Sequence, residues 1–428
     1  MKKITISVLI ISLMFTLITG CMGNESNAPN EEDTAVFPEA TISNADNTGM
    51  SLADTNSYRD SVWAFSSSLF SKVLERDAEN PVISPLSAYM ALSMAASGAQ
   101  GETLDEFEMS LGLSLEALGD TNQQIIKNFS NTSGNTTLEL GNSMWFDSRQ
   151  VSPKESFTSG LKEHYGAEVF NQDFVSPEIE NSVNDWVNRK THGMIPSIIE
   201  SINRDTAMIL VNTLYMNAQW QSVFDPNNTE EKDFTTRSGN TVKTEFLTSD
   251  AQAHSYIKDS NLEGVVLPYD DEHLAFLALK PIDGSSLLDM GLTAESLSDI
   301  IGKAKKMDSL VLSMPRFENE FEVRLDDIAK DMGIVTAFDG QIADFSTIED
   351  NANLALSMIL HKVNIRVDEK GTEAAASTAI GFDKMSAPLD DIIYLTFDSP
   401  YLYAIMDLDS GIPLFLGRMD NPQMASGG

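Results

Sequence analysis

Apolar and polar positions fall into three regimes along this chain, and each predicts a different kind of structure. Residues 4–18 are apolar apart from Ser and Thr, and follow a basic Met1-Lys2-Lys3 start. Residues 22–56 are rich in Asn, Ser, Thr, Asp and Glu, with little that can pack. From Tyr58 to Met419 apolar periodicity continues without a convincing linker. In that third regime Val62, Phe65, Leu69 and Val73 recur at intervals of three and four, the pattern of a helix with one buried face. Residues 87–97 are rich in Ala and Met and predict a largely buried segment, and residues 179–190 predict another helix. Residues 138–146 read as a strand. Residues 207–220 form a nearly continuous apolar run, as expected of a strand covered on both faces. Further strands are expected at 264–268, 274–279 and 310–315, a helix at 325–332, and three closing strands at 392–397, 401–407 and 413–417. Helices come mostly first and strands mostly last, with no regular alternation and no internal repeat. The expected class is α+β in a single large domain.

Composition narrows the function. The chain has 428 residues, of which 28 are Lys or Arg and 64 Asp or Glu, a net charge of −36. A surface that acidic repels phosphate backbones and anionic head groups, which argues against nucleic-acid binding and against electrostatic attachment to membranes. Cys21 is the only cysteine, so no disulfide forms within one molecule. His164, His192, His254 and His273 show no metal-ligand spacing, and neither metal nor cofactor is expected. The apolar run at 4–18 is short for a membrane span and fits a secretory signal.

The informative stretch lies near the end. After Val367-Asp368-Glu369-Lys370-Gly371 come Thr372, Glu373, Ala374, Ala375, Ala376, Ser377 and Thr378. These side chains are too small to hold a core and too apolar for a plain linker. Read with period two, Thr372, Ala374, Ala376, Thr378, Ile380 and Phe382 share one face, while Glu373, Ala375, Ser377, Ala379, Gly381 and Asp383 share the other. The segment is equipped to become a strand, small residues first, with Gly371 as a permissive pivot at its root.

Two resemblances follow. Leu17-Ile18-Thr19-Gly20-Cys21 resembles the lipobox of prokaryotic lipoproteins. It implies a signal peptide at 1–20, a lipid on Cys21, a flexible acidic tether over 21–56 and a folded domain over 57–428. The expected location is the outer face of the cell membrane, or secreted; an ordinary signal peptide is the alternative.

The segment 369–376 resembles the reactive-centre-loop hinge of inhibitory serpins. Residues 80–87 match that family's early Ser-Pro-x-Ser motif, with Ser84 and Ser87. Residues 210–216 with Trp220 are similar to the strand that carries a shutter Asn, here Asn212, and a breach Trp. His361 stands where the family has its shutter His, with Ser84, Ser87 and Asn212 as expected neighbours. Residues 397–403 resemble the C-terminal signature, with Ser399 and Tyr401 in place of the commoner Arg and Phe. The resemblance implies about nine helices, three β-sheets and an exposed reactive-centre loop at 369–391. It also implies a monomeric inhibitor that forms a covalent complex with a serine protease and is no enzyme itself. Counting fourteen residues on from Gly371 puts Met385 before the scissile bond and Ser386 after it. Met385 suits an elastase-, chymotrypsin- or subtilisin-like target, whereas a slip of one residue puts Lys384 there and suggests a trypsin-like one. A non-inhibitory serpin, cut without trapping, is the competing reading. Echoes of penicillin-recognising motifs at Ser159, Ser182 and Lys190 crowd into about thirty residues and lack the family's spread.

Overall fold

The structure is a computed structural model that describes residues 52–129, 134–282, 299–350, 354–373 and 392–422, with side chains from Ser57 onward. The expectations for residues 1–20, Cys21 and most of the tether lie outside these residues, as do those for Ala374, Ala375, Ala376, Lys384, Met385 and Ser386.

Helix α1 (Leu52–Leu74) buries Val62, Phe65, Leu69 and Val73, the face its spacing predicts. It begins inside the segment assigned to the tether. Once nucleated, a helix gains one hydrogen bond per residue fixed, so it extends past its last apolar anchor. Helix α2 (Pro85–Ala96) opens on Pro and is buried at every residue. It packs against strands of both sheets, which makes it the axle of the fold. Helices α3 (Gly101–Leu111), α4 (Leu115–Phe129) and α5 (Glu155–Tyr165) follow, and α4 packs on α5. Helix α6 (Ile179–Lys190) has the predicted boundaries, and the short α7 (Asp326–Asp331) falls within the predicted 325–332.

A six-stranded sheet runs in the order β11 (Phe317–Arg324), β12 (Met358–Val367), β13 (Gly371–Thr372), β4 (Met208–Gln219), β2 (Thr137–Asp147), β3 (Glu168–Gln172). A ten-stranded sheet holds β1 (Val82–Ile83), β16 (Ile412–Met419), β15 (Tyr401–Asp407), β9 (Leu274–Pro281), β8 (Leu262–Pro268), β7 (Gln252–Lys258), β10 (Lys305–Pro315), β6 (Thr241–Thr248) and β5 (Glu230–Thr235), with β14 (Ile393–Thr396) branching from β10. The expected three sheets are joined by hydrogen bonds into two because β10 forks. Its first half pairs with β7 and its last residues with β6, while β14 lies parallel to Leu310–Ser313.

The six-stranded sheet is covered on both faces. One face meets the main core around α2. On the other, α6 and the segment after it close a second cluster with Trp186, Ile195, Ile198, Ile209, Val211 and Leu360. Double coverage is why β4 reads as an unbroken apolar run.

Candidate functional site: the seam between β12 and β4

Strands β12 and β4 are neighbours at one end only. They pair in parallel at Met358↔Ile209, Ile359↔Leu210 and Leu360↔Val211. Beyond that point, among the described residues, His361 to Ile365 pair only with β11 and Asn212 to Asn217 only with β2. At the far end the two residues of β13 lie between the strands. Thr372 opposes Val367 of β12 and Ala218 of β4, and Gly371 opposes Gln219. The first residues of the small-residue segment are therefore already threaded into the seam, with ladder partners on both sides.

A tight turn fixes the root of this hinge. The Asp368 carboxylate accepts from the N–H groups of Lys370 (2.8 Å) and Gly371 (3.3 Å). Trp220 donates its indole N–H to Asp368 O (2.9 Å) and its backbone N–H to Lys370 O (2.7 Å). Phe224 N–H donates to Glu369 O (2.8 Å), and the Thr229 hydroxyl donates to the Glu369 carboxylate (2.9 Å). Gly371 is required for a reason other than a free pivot. Its φ lies outside the left-handed region, but a Cβ there would stand 2.0 Å from Ala218 O. Only a residue without a side chain lets the hinge backbone approach β4 so closely.

Beneath the hinge, Trp220 stacks on Tyr269 with centroids 4.7 Å apart, and Phe224 and Phe276 meet its edge. The Tyr269 hydroxyl reaches the Thr372 hydroxyl at 2.6 Å. Trp220 lies beneath the hinge, and Tyr269 is a partner that sequence reading missed. Glu373, the next residue, turns the chain out of the sheet with φ 51° while its N–H still donates to Arg366 O (2.9 Å). Burial pushes its carboxyl up to about 7.

At the paired end, His361 is buried and its Nε2 accepts from the backbone N–H of Ser84 (3.0 Å). The ring therefore carries its proton on Nδ1, and burial pushes its pKa down to about 4. Ser84 joins the expected group through its backbone, not its hydroxyl. Ser87 is buried within α2. Asn212 donates its amide to the Asn142 side chain on β2, and Asn142 donates in turn to Tyr165 O (2.7 Å). The signal for Asn142 was a lone amide in the apolar strand 138–146.

The chain resumes at Ile392 and enters β14 on the other sheet. The two ends of the loop are thus held by different sheets. The family model for serpin (serine protease inhibitor) matches residues 60–422. The chain belongs to the serpin family. An uncharacterised serpin-like protein of Thermococcus kodakarensis is 29% identical, covering 97% of this chain and 99% of that one. Alpha-1-antichymotrypsin of Homo sapiens is 30% identical over 84% of this chain and 87% of its own. The native-state crystal structure of the thermophilic serpin tengpin superposes with a TM-score of 0.78 at 30% identity, covering 87% of this chain and 95% of that one. In this serpin the seam presents, among the described residues, strand edges without a ladder partner between β12 and β4 and an aromatic floor at one end.

Proposed function

We propose that this serpin is a suicide-type inhibitor of serine proteases, which takes its cut loop into the seam between β12 and β4. The observation that carries this reading is the position of Gly371 and Thr372, already paired with both strands ahead of a segment built from small residues.

The protease supplies the covalent chemistry. Its serine oxygen attacks the carbonyl carbon of Met385; the Met385–Ser386 bond breaks, and the new amine of Ser386 takes a proton and leaves. The freed strand then continues the ladder that β13 has begun, carrying the acyl-linked protease with it. The driving force is backbone pairing that the uncut chain forgoes. Buried polar atoms along the route support that view. Asn212 Oδ1, Thr213 Oγ1 and Ser84 Oγ lack a protein hydrogen-bond partner among the described residues. Each such group costs roughly 1–3 kcal/mol.

The target is an elastase-, chymotrypsin- or subtilisin-like protease with an apolar pocket for Met385. The similarity to a protein named antichymotrypsin supports this choice. The protein works as a monomer at the outer face of the membrane, held by a lipid on Cys21 through the acidic segment that follows. The lipobox-like 17–21 supports the anchor.

The test mixes the purified chain with elastase, chymotrypsin, subtilisin and trypsin. A band at the summed mass that survives detergent, with a released peptide beginning at Ser386, is the expected result. A peptide beginning at Met385 moves the bait to Lys384 and the target to the trypsin class. Ala376→Pro removes a ladder donor from the entering strand, so that variant is expected to be cut without trapping. Clean cleavage of the wild-type chain by every protease, with no stable band, makes this a serpin that is cut without inhibiting.

A further inference from the structure

We propose that Glu373 is a protonation-controlled latch on the hinge, whose neutral carboxyl holds the chain where the loop leaves the sheet and whose ionised form lets it go. The idea rests on the seam being where the loop enters, and it adds a control on the first step.

The backbone geometry makes Glu373 the residue that must move. Thr372 is in register with β12 and β4, and Glu373 N–H takes the next hydrogen bond to Arg366 O. Its φ of 51° then diverts the chain. To extend β13 by one residue this angle must swing to about −120°. The left-handed conformation is disfavoured for a non-glycine residue, so something must hold it.

The surroundings of the carboxyl supply the hold. Charged and titratable groups approach it from every neighbouring element. Arg366 comes from β12, Glu318 from β11, Tyr215 from β4, and His192 from the turn after α6. His192 is itself held by Glu139 of β2 at 3.1 Å, and its ring lies 4.4 Å from that of Tyr215. Arg366 does not close an ion pair on the latch. Both Glu373 Oε2 and Arg366 Nε are buried without a hydrogen-bond partner among the described residues. A carboxylate facing a free guanidinium N–H normally takes it. Burial of the carboxyl outweighs the attraction of Arg366 and His192 and pushes it up to about 7.

The sign of the pH dependence follows. Below the ordinary value of 4.5 both the seated and the released carboxyl are protonated, and the latch is strongest. Between 4.5 and about 7 the released form ionises while the seated form does not, so rising pH weakens the latch by at most tenfold per pH unit. Above 7 both are ionised and the dependence ends. The side chain is partly exposed, so the expected change from pH 5 to 7.5 is about tenfold, short of that limit.

The experiment is amide hydrogen exchange of the segment 366–373 in the full chain, measured by mass spectrometry from pH 5 to 8. Each rate is divided by that of Glu373→Gln at the same pH, which cancels the intrinsic pH dependence of exchange. The ratio is expected to lie near one at pH 5 and to rise to about ten by pH 7.5, because Gln stays neutral and latched. A ratio within twofold of one throughout overturns the proposal. Tyr215→Phe provides an independent check, since the Tyr215 hydroxyl favours the ionised carboxyl. Its loss is expected to move the midpoint to higher pH with the amplitude kept, and an unmoved midpoint counts against the latch. Neither readout depends on trapping a target protease. A flat exchange profile alongside normal trapping removes the latch alone, and a normal profile without trapping removes the inhibitor reading alone.

Discussion

The two sheets of this serpin differ in how completely they are paired. In the ten-stranded sheet, β8 and β9 run together from Leu262↔Pro281 to Pro268↔Ala275, and β9 continues against β15 from Leu279↔Leu402 to Leu274↔Asp407. In the six-stranded sheet, β12 and β4 meet directly over three residues and then part around β13. Buried polar atoms without a protein partner follow the same division. Among the described residues Asn212, Thr213, Asn364 and Arg366 carry such atoms on the two parted strands, whereas the ten-stranded sheet shows one at Tyr401. The ten-stranded sheet is thus paired more continuously than the six-stranded one, and the two share the axle helix α2. Among the described residues the incomplete pairing lies in one seam, beside a sheet whose central ladders run on.

The largest expected effect comes from filling the seam. A strand between His361 to Arg366 and Asn212 to Asn217 adds on the order of ten ladder bonds at about 1 kcal/mol each. Cutting the loop is therefore expected to raise the melting temperature by roughly 10–15 °C, read by calorimetry before and after proteolysis. An unchanged melting temperature would mean that the two sheets are equally satisfied, and the contrast between them fails.

Trp220→Ala comes next. It removes the stack on Tyr269 and the donor to Asp368 O, and should cost about 3–5 kcal/mol in denaturant unfolding. A loss below about 1 kcal/mol would show that the aromatic floor does not hold the hinge.

Acid sharpens the comparison, because each sheet buries one histidine pushed down to about 4, His254 on β7 and His361 on β12. A buried neutral imidazole contributes full stability above the unfolded value near 6.5 and loses it as pH falls toward 4. Each should account for stability on the order of 3 kcal/mol lost across that window. Gln at either position is expected to flatten the acid limb of unfolding. Only His361→Gln should also alter the rate at which the cut loop enters the seam, and an equal change from His254→Gln would erase the distinction.

The smallest effect is Thr213→Val, which replaces an unpartnered hydroxyl with a methyl of similar shape. It is expected to stabilise the uncut chain by up to about 1 kcal/mol in urea, whereas destabilisation would show that the hydroxyl is satisfied.

Much of this was legible in the sequence where burial is one-sided or complete. The buried face of α1, the boundaries of α6 and the strand β15 follow from period and run length. Strands β5 and β6 were silent because few of their side chains are buried, chiefly Phe234 in one and Phe246 and Leu247 in the other. Their partners hold them, and pattern does not report partners. At the site, Gly371 was legible as the root of the small-residue segment, yet the reason for the glycine lies in Ala218, far away in sequence. The same holds for Tyr269, which meets Thr372 across 103 positions, and for Asn142, which meets Asn212 across 70. A sequence read alone names residues of the right type but cannot say which distant ones will touch.

The placement of the last three strands has a consequence for what the molecule becomes once cut. The proposed break after Met385 would leave β14, β15 and β16 on a separate polypeptide, and β15 and β16 lie inside the ten-stranded sheet, between β9 and β1. The fragment is therefore a structural subunit, retained by the full β15–β9 ladder, the shorter pairings of β14 with β10 and of β16 with β1, and a share of the main core. Folding of the intact chain is unimolecular, whereas the cut protein can regain its structure only when two fragments meet. Its unfolding becomes a dissociation, with a midpoint that shifts with protein concentration. After cleavage the order of the reaction itself has changed, and dilution then works against reassembly.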